Sequence, residues 1–508
     1  MAVLKLLFRT RNKSVWRLKD LSPAVRFPGG RTFQPRLFAA TALLCLTVAA
    51  AGYGAEGRSA VSATASGQAV QKAPSQQAIE FVNKGNGLLA RHDFSAAEAA
   101  FQKAIQIDST FAAAHRGLGV ALWEQGRLGA AWQELSVVAR LEPNSAQAHY
   151  DLGQLAWTLY NAGAAKTAAT SGLSPDDFRS LALSEVEKAV SLKPHDFKMR
   201  LNLSELEIDA GRKTQAQADA LGAIPLASSA AERSLAHVAL ARTWIATGDE
   251  MRAEAEYKKA IEENSSSGTA YLGLGQICLF QQNAAEAAKY FRQAIQVSPD
   301  LAPAYAALAK LFIEGHQRVE ALSMLQKAVA LDPKDWQSQY ELAKLLMEAG
   351  ESARAKELFT KILAGQPDFL PAGEQLALLS LHQGDVAGAL AQAQSILAKN
   401  PRAAEGHRVL ALTFWRERQT DASLAECAEA LAVDPGSNSM LALQAVELWQ
   451  TKRRQDARRV LHEAAHRDPG ILSPVTFCRL IVCGSADIPV VSDFLHQNRW
   501  ILEPQDTQ

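Results

Sequence analysis

Small, large and breaker residues return along this chain with a period of 34. Prolines fall at Pro299, Pro333, Pro367, Pro401, Pro435 and Pro469, each closing an apolar phrase such as AIQVSP, AVALDP or ALAVDP. The frame extends back to Pro143 and Pro194. With the proline set as position 32, units open at 78, 112, 146, 197, 234, 268, 302, 336, 370, 404 and 438. Position 8 is small in every unit, from Gly85, Gly119 and Gly153 to Ala445, and so is position 20, from Ala97 to Ala457. Position 7 is mostly Leu, and the rings Phe101, Tyr257, Phe291 and Phe359 recur at position 24. The spacing predicts two antiparallel helices per unit, with positions 4, 7, 8 and 11 facing positions 20, 24 and 27. Small residues at 8 and 20 let the pair close up, and position 24 fills the gap beside them. Gly at position 15 (Gly126, Gly211, Gly248, Gly350, Gly384) supplies a left-handed stop, and the proline ends the second helix. One such unit cannot bury its own face, so the units must stack.

This pattern resembles the tetratricopeptide repeat family over residues 78–471. The resemblance implies an all-α fold, a right-handed superhelical α-solenoid with a concave groove lined by the first helices. Two departures stand out. The third unit holds extra residues around 161–179, expected as a long loop between its helices. The fourth lacks a closing proline and carries Pro225 early, so its second helix should be irregular. Residues 472–508 read as two short helices capping the stack.

In the family, position 12 tends to face the groove. Here it is large and apolar throughout, with tryptophans paired in adjacent units: Trp123 with Trp157, and Trp415 with Trp449. Such residues either pack neighbouring helices or anchor a ligand. Trp157 is the stronger anchor candidate, since its unit also presents Tyr150 and Gln154. Members that bind chaperone tails carry a Lys/Asn clamp for a carboxylate at groove positions 5 and 9. Those positions read Val82, Asn86, Arg116, Val120, Tyr150 and Gln154, of which Asn86 alone fits.

Charge changes the picture at one end only. The chain has 53 basic and 53 acidic residues, which argues against a nucleic-acid partner. Residues 1–36 nevertheless carry nine Lys/Arg against Asp20, a net +8, which leaves −8 for the rest. An uncharged run, 37–55, follows; it reads as a membrane anchor or a signal-peptide core. The basic side stays in the cytoplasm, so the residues beyond are expected outside it, periplasmic or secreted. Residues 56–77 read as a flexible tether.

Candidate chemistry is sparse. His462-Glu463-Ala464-Ala465-His466 matches the HExxH string, in which two histidines one turn apart bind zinc and the glutamate acts as base. The nearest third ligands would be His496 or Asp487. The string occupies the solvated side of a repeat helix, and no protease domain surrounds it. His115, His149, His237 and His407 share position 4 and read as packing residues. Gly85-Asn86-Gly87-Leu88-Leu89-Ala90 mimics a dinucleotide-binding turn but follows no strand. Cys278 and Cys427 occupy packing positions, and Cys478 and Cys483 read as buried thiols. Lys452, Arg453, Arg454, Arg458 and Arg459 form a basic cluster, read as a solvated turn with an acidic-partner dock as the sharper reading. The expectation is a non-enzymatic scaffold with no cofactor, binding a protein or peptide segment in the groove, in envelope assembly or export. The alternative is a repeat-bearing zinc peptidase.

Overall fold

The structure, a computed structural model, describes residues 74–162, 173–483 and 487–498. The basic segment 1–36, the run 37–55 and residues 56–73 of the tether lie outside the described residues, as do 163–172 of the insertion, 484–486 and 499–508. The chain divides after Leu301 into two compact units. Every regular element among the described residues is a helix.

The first unit opens with α1 (Gln76–Leu89), α2 (Phe94–Ile107), α3 (Ala112–Glu124), α4 (Leu128–Leu141), α5 (Ala146–Ala162) and α6 (Pro175–Leu192). It continues with α7 (Phe197–Asp209), α8 (Lys213–Ala223), α9 (Ala230–Thr247), α10 (Glu250–Glu263), α11 (Gly268–Phe280) and α12 (Ala284–Val297). The second unit holds α13 (Ala302–Glu314), α14 (Arg318–Leu331), α15 (Trp336–Glu348), α16 (Ser352–Gly365), α17 (Leu370–His382) and α18 (Val386–Lys399). Then come α19 (Ala404–Arg416), α20 (Thr420–Val433), α21 (Asn438–Gln450), α22 (Arg454–Arg467), α23 (Pro474–Leu480) and α24 (Ile488–Asn498). Odd-numbered helices up to α21 are first helices of a repeat, and each packs on the even-numbered helix that follows it. Within each unit, every second helix also packs on the next first helix.

The small positions explain that packing. All eleven residues at position 20 are fully buried, Ser423 included. A methyl group added to Gly85 would meet the Phe101 ring at 2.6 Å, and one on Gly275 would meet Phe291 at 2.4 Å. The ring at position 24 thus lies against position 8 of its own repeat. It also touches the next repeat: a methyl on Gly117 would lie 2.2 Å from Phe101, and one on Gly273 would lie 2.2 Å from Tyr257. One aromatic side chain therefore seals three helices, and burying it is worth roughly 2–3 kcal/mol.

Position 15 is left-handed in ten repeats. The five glycines take φ of 74 to 86°, and His92, Gln282, His316, Arg418 and Lys452 take the same turn at 56 to 63°. The turn closes the first helix: Gly126 N–H donates to Trp123 O (2.8 Å) and Arg127 N–H to Leu122 O (2.9 Å). Before the proline, Asp or Asn turns the chain into the next repeat, as where Asp332 accepts from Lys334 N–H at 3.0 Å.

The departures have local causes. In the third repeat α5 runs on to Ala162 and α6 starts early at Pro175 behind a Ser174 capping box, so both flanks of the expected loop are helix. In the fourth, α8 stops at Ala223 and Pro225 lies in a 3₁₀ turn, Ile224–Leu226.

Candidate functional site

First helices of successive repeats touch one another: α1 with α3 and α7 with α9 in the first unit, α17 with α19 and α19 with α21 in the second. They form a row on which positions 5, 9 and 12 recur. In the first unit this row is polar. Arg116 donates through Nε to Asp151 (2.5 Å), which also accepts from Gln147 Nε2 (2.7 Å). Asn202 Nδ2 donates to the Tyr150 hydroxyl. Asn86 Oδ1 and Gln154 Nε2 are shut from solvent without a hydrogen-bond partner. Trp123 and Trp157 are half-buried, and the Trp157 ring leans on Tyr160 at 5.2 Å. Arg116 thus joins α3 to α5 through Asp151, and Tyr150 joins α5 to α7 through Asn202, while Gln154 stands on α5 and Asn86 on α1.

In the second unit Arg408 grips Glu374 through Nε (2.8 Å) and Nη2 (2.9 Å). Burial pushes the Glu374 acid upward, and Arg408 opposes it. Here one expected groove residue is corrected. Trp415 is 1% exposed, sits in the core and carries the Arg418 guanidinium 5.4 Å from its ring centre, so it offers no surface to a partner. Arg416 and Arg418 tie the segment after α23 to the end of α19, through Val482 O (3.2 Å) and Asp487 (2.6 Å). Trp449 is half-buried against Phe494 at 5.5 Å, under Arg454 and Arg458.

The position-4 histidines do more than pack. His115 Nδ1 meets Glu134 at 2.7 Å, His149 meets Glu185 at 2.5 Å, His237 meets Glu256 at 2.6 Å and His407 meets Glu426 at 2.6 Å. The other ring nitrogen of His115, His149 and His407 reaches the carbonyl of Ser109, Pro143 or Pro401 at the preceding repeat junction. Each glutamate occupies position 23 of its own repeat, after allowance for the insertion. Arg200 at position 4 faces Asp219 at position 23 (3.6 Å). Where position 4 holds Phe81, Tyr271, Tyr305, Gln339, Gly373 or Leu441, position 23 is not acidic. The signal was in the sequence, as a pairing of positions within a repeat; reading position 4 for burial alone misses it. Glu134 leads in holding the His115 imidazolium above its ordinary range.

The remaining candidates are dispersed. His462 and His466 are exposed and stacked, rings parallel within 6° and centroids 6.4 Å apart, while Glu463 pairs with Arg467 at 3.0 Å. Asp487 is buried with Arg418. Among the described residues no three metal-donor side chains converge. Gly85 and Gly87 lie inside α1. Cys427 is buried, while Cys278, Cys478 and Cys483 are half-buried rather than buried, and none of the four forms a disulfide. Glu207 and Glu447 are buried carboxyls, each pushed by burial to about 8. No helix among the described residues is long and apolar enough to cross a membrane.

Sequence profiles of the tetratricopeptide repeat match residues 88–168, 279–345 and 312–379, and a second set matches 238–306 and 375–438, together more than half of the chain. No curated protein matches. Among solved structures the chain is similar to a tetratricopeptide repeat protein from Parabacteroides merdae (17% identity, 54% of this chain and 100% of that one, TM-score 0.45). It is also similar to pilF of Pseudomonas aeruginosa (20%, 42% and 97%, 0.37) and to YrrB, a TPR protein with an unusual peptide-binding site (20%, 37% and 95%, 0.26). With its helix pairs, its left-handed position 15 and profile matches over more than half of its length, the chain belongs to the tetratricopeptide repeat family.

Proposed function

We propose that this chain is a non-enzymatic scaffold that holds an extended protein segment on the first-helix row of repeats 1–4. Tetratricopeptide repeats imply a protein–protein interaction scaffold. The observation that supports this particular surface is its unmet hydrogen bonding. Asn86 offers an acceptor and Gln154 a donor with no partner, on α1 and α5, flanking the Arg116–Asp151–Gln147 network. Leaving such groups unpaired costs about 1–3 kcal/mol each. A main chain carries one donor and one acceptor per residue and can satisfy both once the amides turn outward. Half-buried Trp123 and Trp157 supply apolar contact beside them.

A photo-crosslinking amino acid in place of Trp157 or Tyr150 tests the assignment in cells. Discrete protein adducts are expected from both. A control in place of Met251, 84% exposed on the second helix α10, should give none. Adducts from Met251 alone would overturn the assignment. The basic segment 1–36 ahead of the run 37–55 supports an extracytoplasmic setting, anchored at the membrane or released, with envelope assembly or export as the role. A reporter that fluoresces only in the cytoplasm, fused after Gln508, should stay dark; a bright fusion refutes that location.

A further inference from the structure

The two histidines of the HExxH string belong to a longer feature of α22. Arg454, Arg458, His462 and His466 are each one i,i+4 step apart and exposed, so they form one ridge along the helix. Lys452, Arg453 and Arg459 add charge at its start, all exposed. Residues 452–459 carry five basic side chains and one acid, Asp456, a net +4. Asp456 is taken up by Arg453 (2.9 Å) and Arg459 (3.6 Å), and Glu463 by Arg467. Ala457, Val460, Leu461, Ala464 and Ala465 face the core. About that axis, Asp456 and Glu463 lie on one flank and the Arg454–His466 ridge on the other.

The ridge is held in place. The Arg454 and Arg458 guanidiniums lie 4.9 and 6.0 Å from the Trp449 ring centre, and Arg458 Nε donates to Asn498 at 3.2 Å. Stacking restrains two long side chains before any partner arrives, which lowers the entropy lost on binding.

We infer that the Arg454–Arg458–His462–His466 ridge is a docking strip for an acidic peptide segment, separate from the first-helix row. Four residues of helix rise about 6 Å, and same-side residues of an extended chain recur every ~6.6 Å. An extended segment with Asp or Glu at alternate positions therefore meets the ridge in register over about 18 Å. The arginines take carboxylates through paired N–H groups. Each imidazole carries an N–H donor in every protonation state. The geometry favours peptide over nucleic acid. Trp449, beside the strip, has its face covered by the Arg454 and Arg458 guanidiniums, so its ring is not open to stack a base.

The test uses the full chain and a fluorescein-labelled octapeptide of alternating Glu and Ala, read by anisotropy at low ionic strength. Saturable binding is expected, weakening as salt is added. Arg454→Glu with Arg458→Glu should weaken it by about 30-fold or more. Circular dichroism and melting establish that the variant is folded before its affinity is read. Arg454→Gln with Arg458→Gln, which removes charge without reversing it, serves if the first pair misfolds. Failure of the wild-type chain to bind the peptide overturns the inference. So does unchanged affinity in the folded variant, or tighter binding of a single-stranded oligothymidylate than of the peptide.

Discussion

Glu447 should cost this protein stability at neutral pH, and replacing it with leucine should restore it. It stands at position 10 of the last repeat, where Leu155, Leu206, Leu311, Leu345 and Leu379 fill other repeats. Its side chain is fully buried, and neither carboxyl oxygen has a hydrogen-bond partner. Ser423, beside it, donates instead to the Ala411 carbonyl at 2.8 Å. Burial pushes the acid from 4.5 to about 8, and Ser423 opposes this only in part. The folded chain therefore keeps this proton to higher pH than the unfolded chain does. The site's contribution is fully present below pH 4.5, falls as pH rises, and levels out above about 8. Each unit is worth about 1.4 kcal/mol, so the loss is roughly 3 kcal/mol at pH 7 and roughly 5 above pH 8. Glu447→Leu keeps the volume and removes the titration. Urea unfolding of both chains at about pH 5.5 and about pH 8 measures the difference, and hydrogen exchange in α21 localises it. The variant should be the more stable of the two by a margin that widens toward pH 8. A leucine variant less stable at pH 8, or one with the same pH dependence as wild type, refutes the reasoning.

Other positions give equally direct tests. His115→Ala should cost about 1–3 kcal/mol near pH 6, because it strands Glu134 and the Ser109 carbonyl. Glu134 raises the His115 pKa, so the stabilisation is full below 6.5 and lost as pH rises through the folded value; the gap from wild type should narrow by about pH 9. His316→Gly should raise the melting temperature, by about 1 kcal/mol of stability, since φ there is 56° and the side chain is exposed. Two Gly→Ala changes should diverge in sign under the same unfolding assay. Gly87 has open space and should gain about 1 kcal/mol, whereas a methyl on Gly117 would lie 2.2 Å from the Phe101 ring, so that change should lose about 1–3.

The repeat architecture was legible because it is periodic. Position 8, position 20 and the proline recur at one spacing, and a helix pair with a close crossing is the structure that uses them. The left-handed turn was legible only where it is glycine. His92, Gln282, His316, Arg418 and Lys452 take it because the helix pair on either side demands it, at a backbone cost that packing outweighs. The His–Glu clasps lay within reach as paired positions, yet only the folded hairpin shows that position 4 and position 23 lie across the same gap. Burial at position 12 was not legible at all. Trp123 and Trp415 occupy the same place in the repeat, yet one is half-buried and the other 1% exposed. Trp415 shares a core with Phe477, Ile481 and Val482 from outside its repeat, and Arg416 and Arg418 hold Val482 and Asp487 at the end of α19. A period specifies which face of a helix turns inward. What finally covers that face depends on segments distant in sequence, and those contacts exist only once the chain has folded.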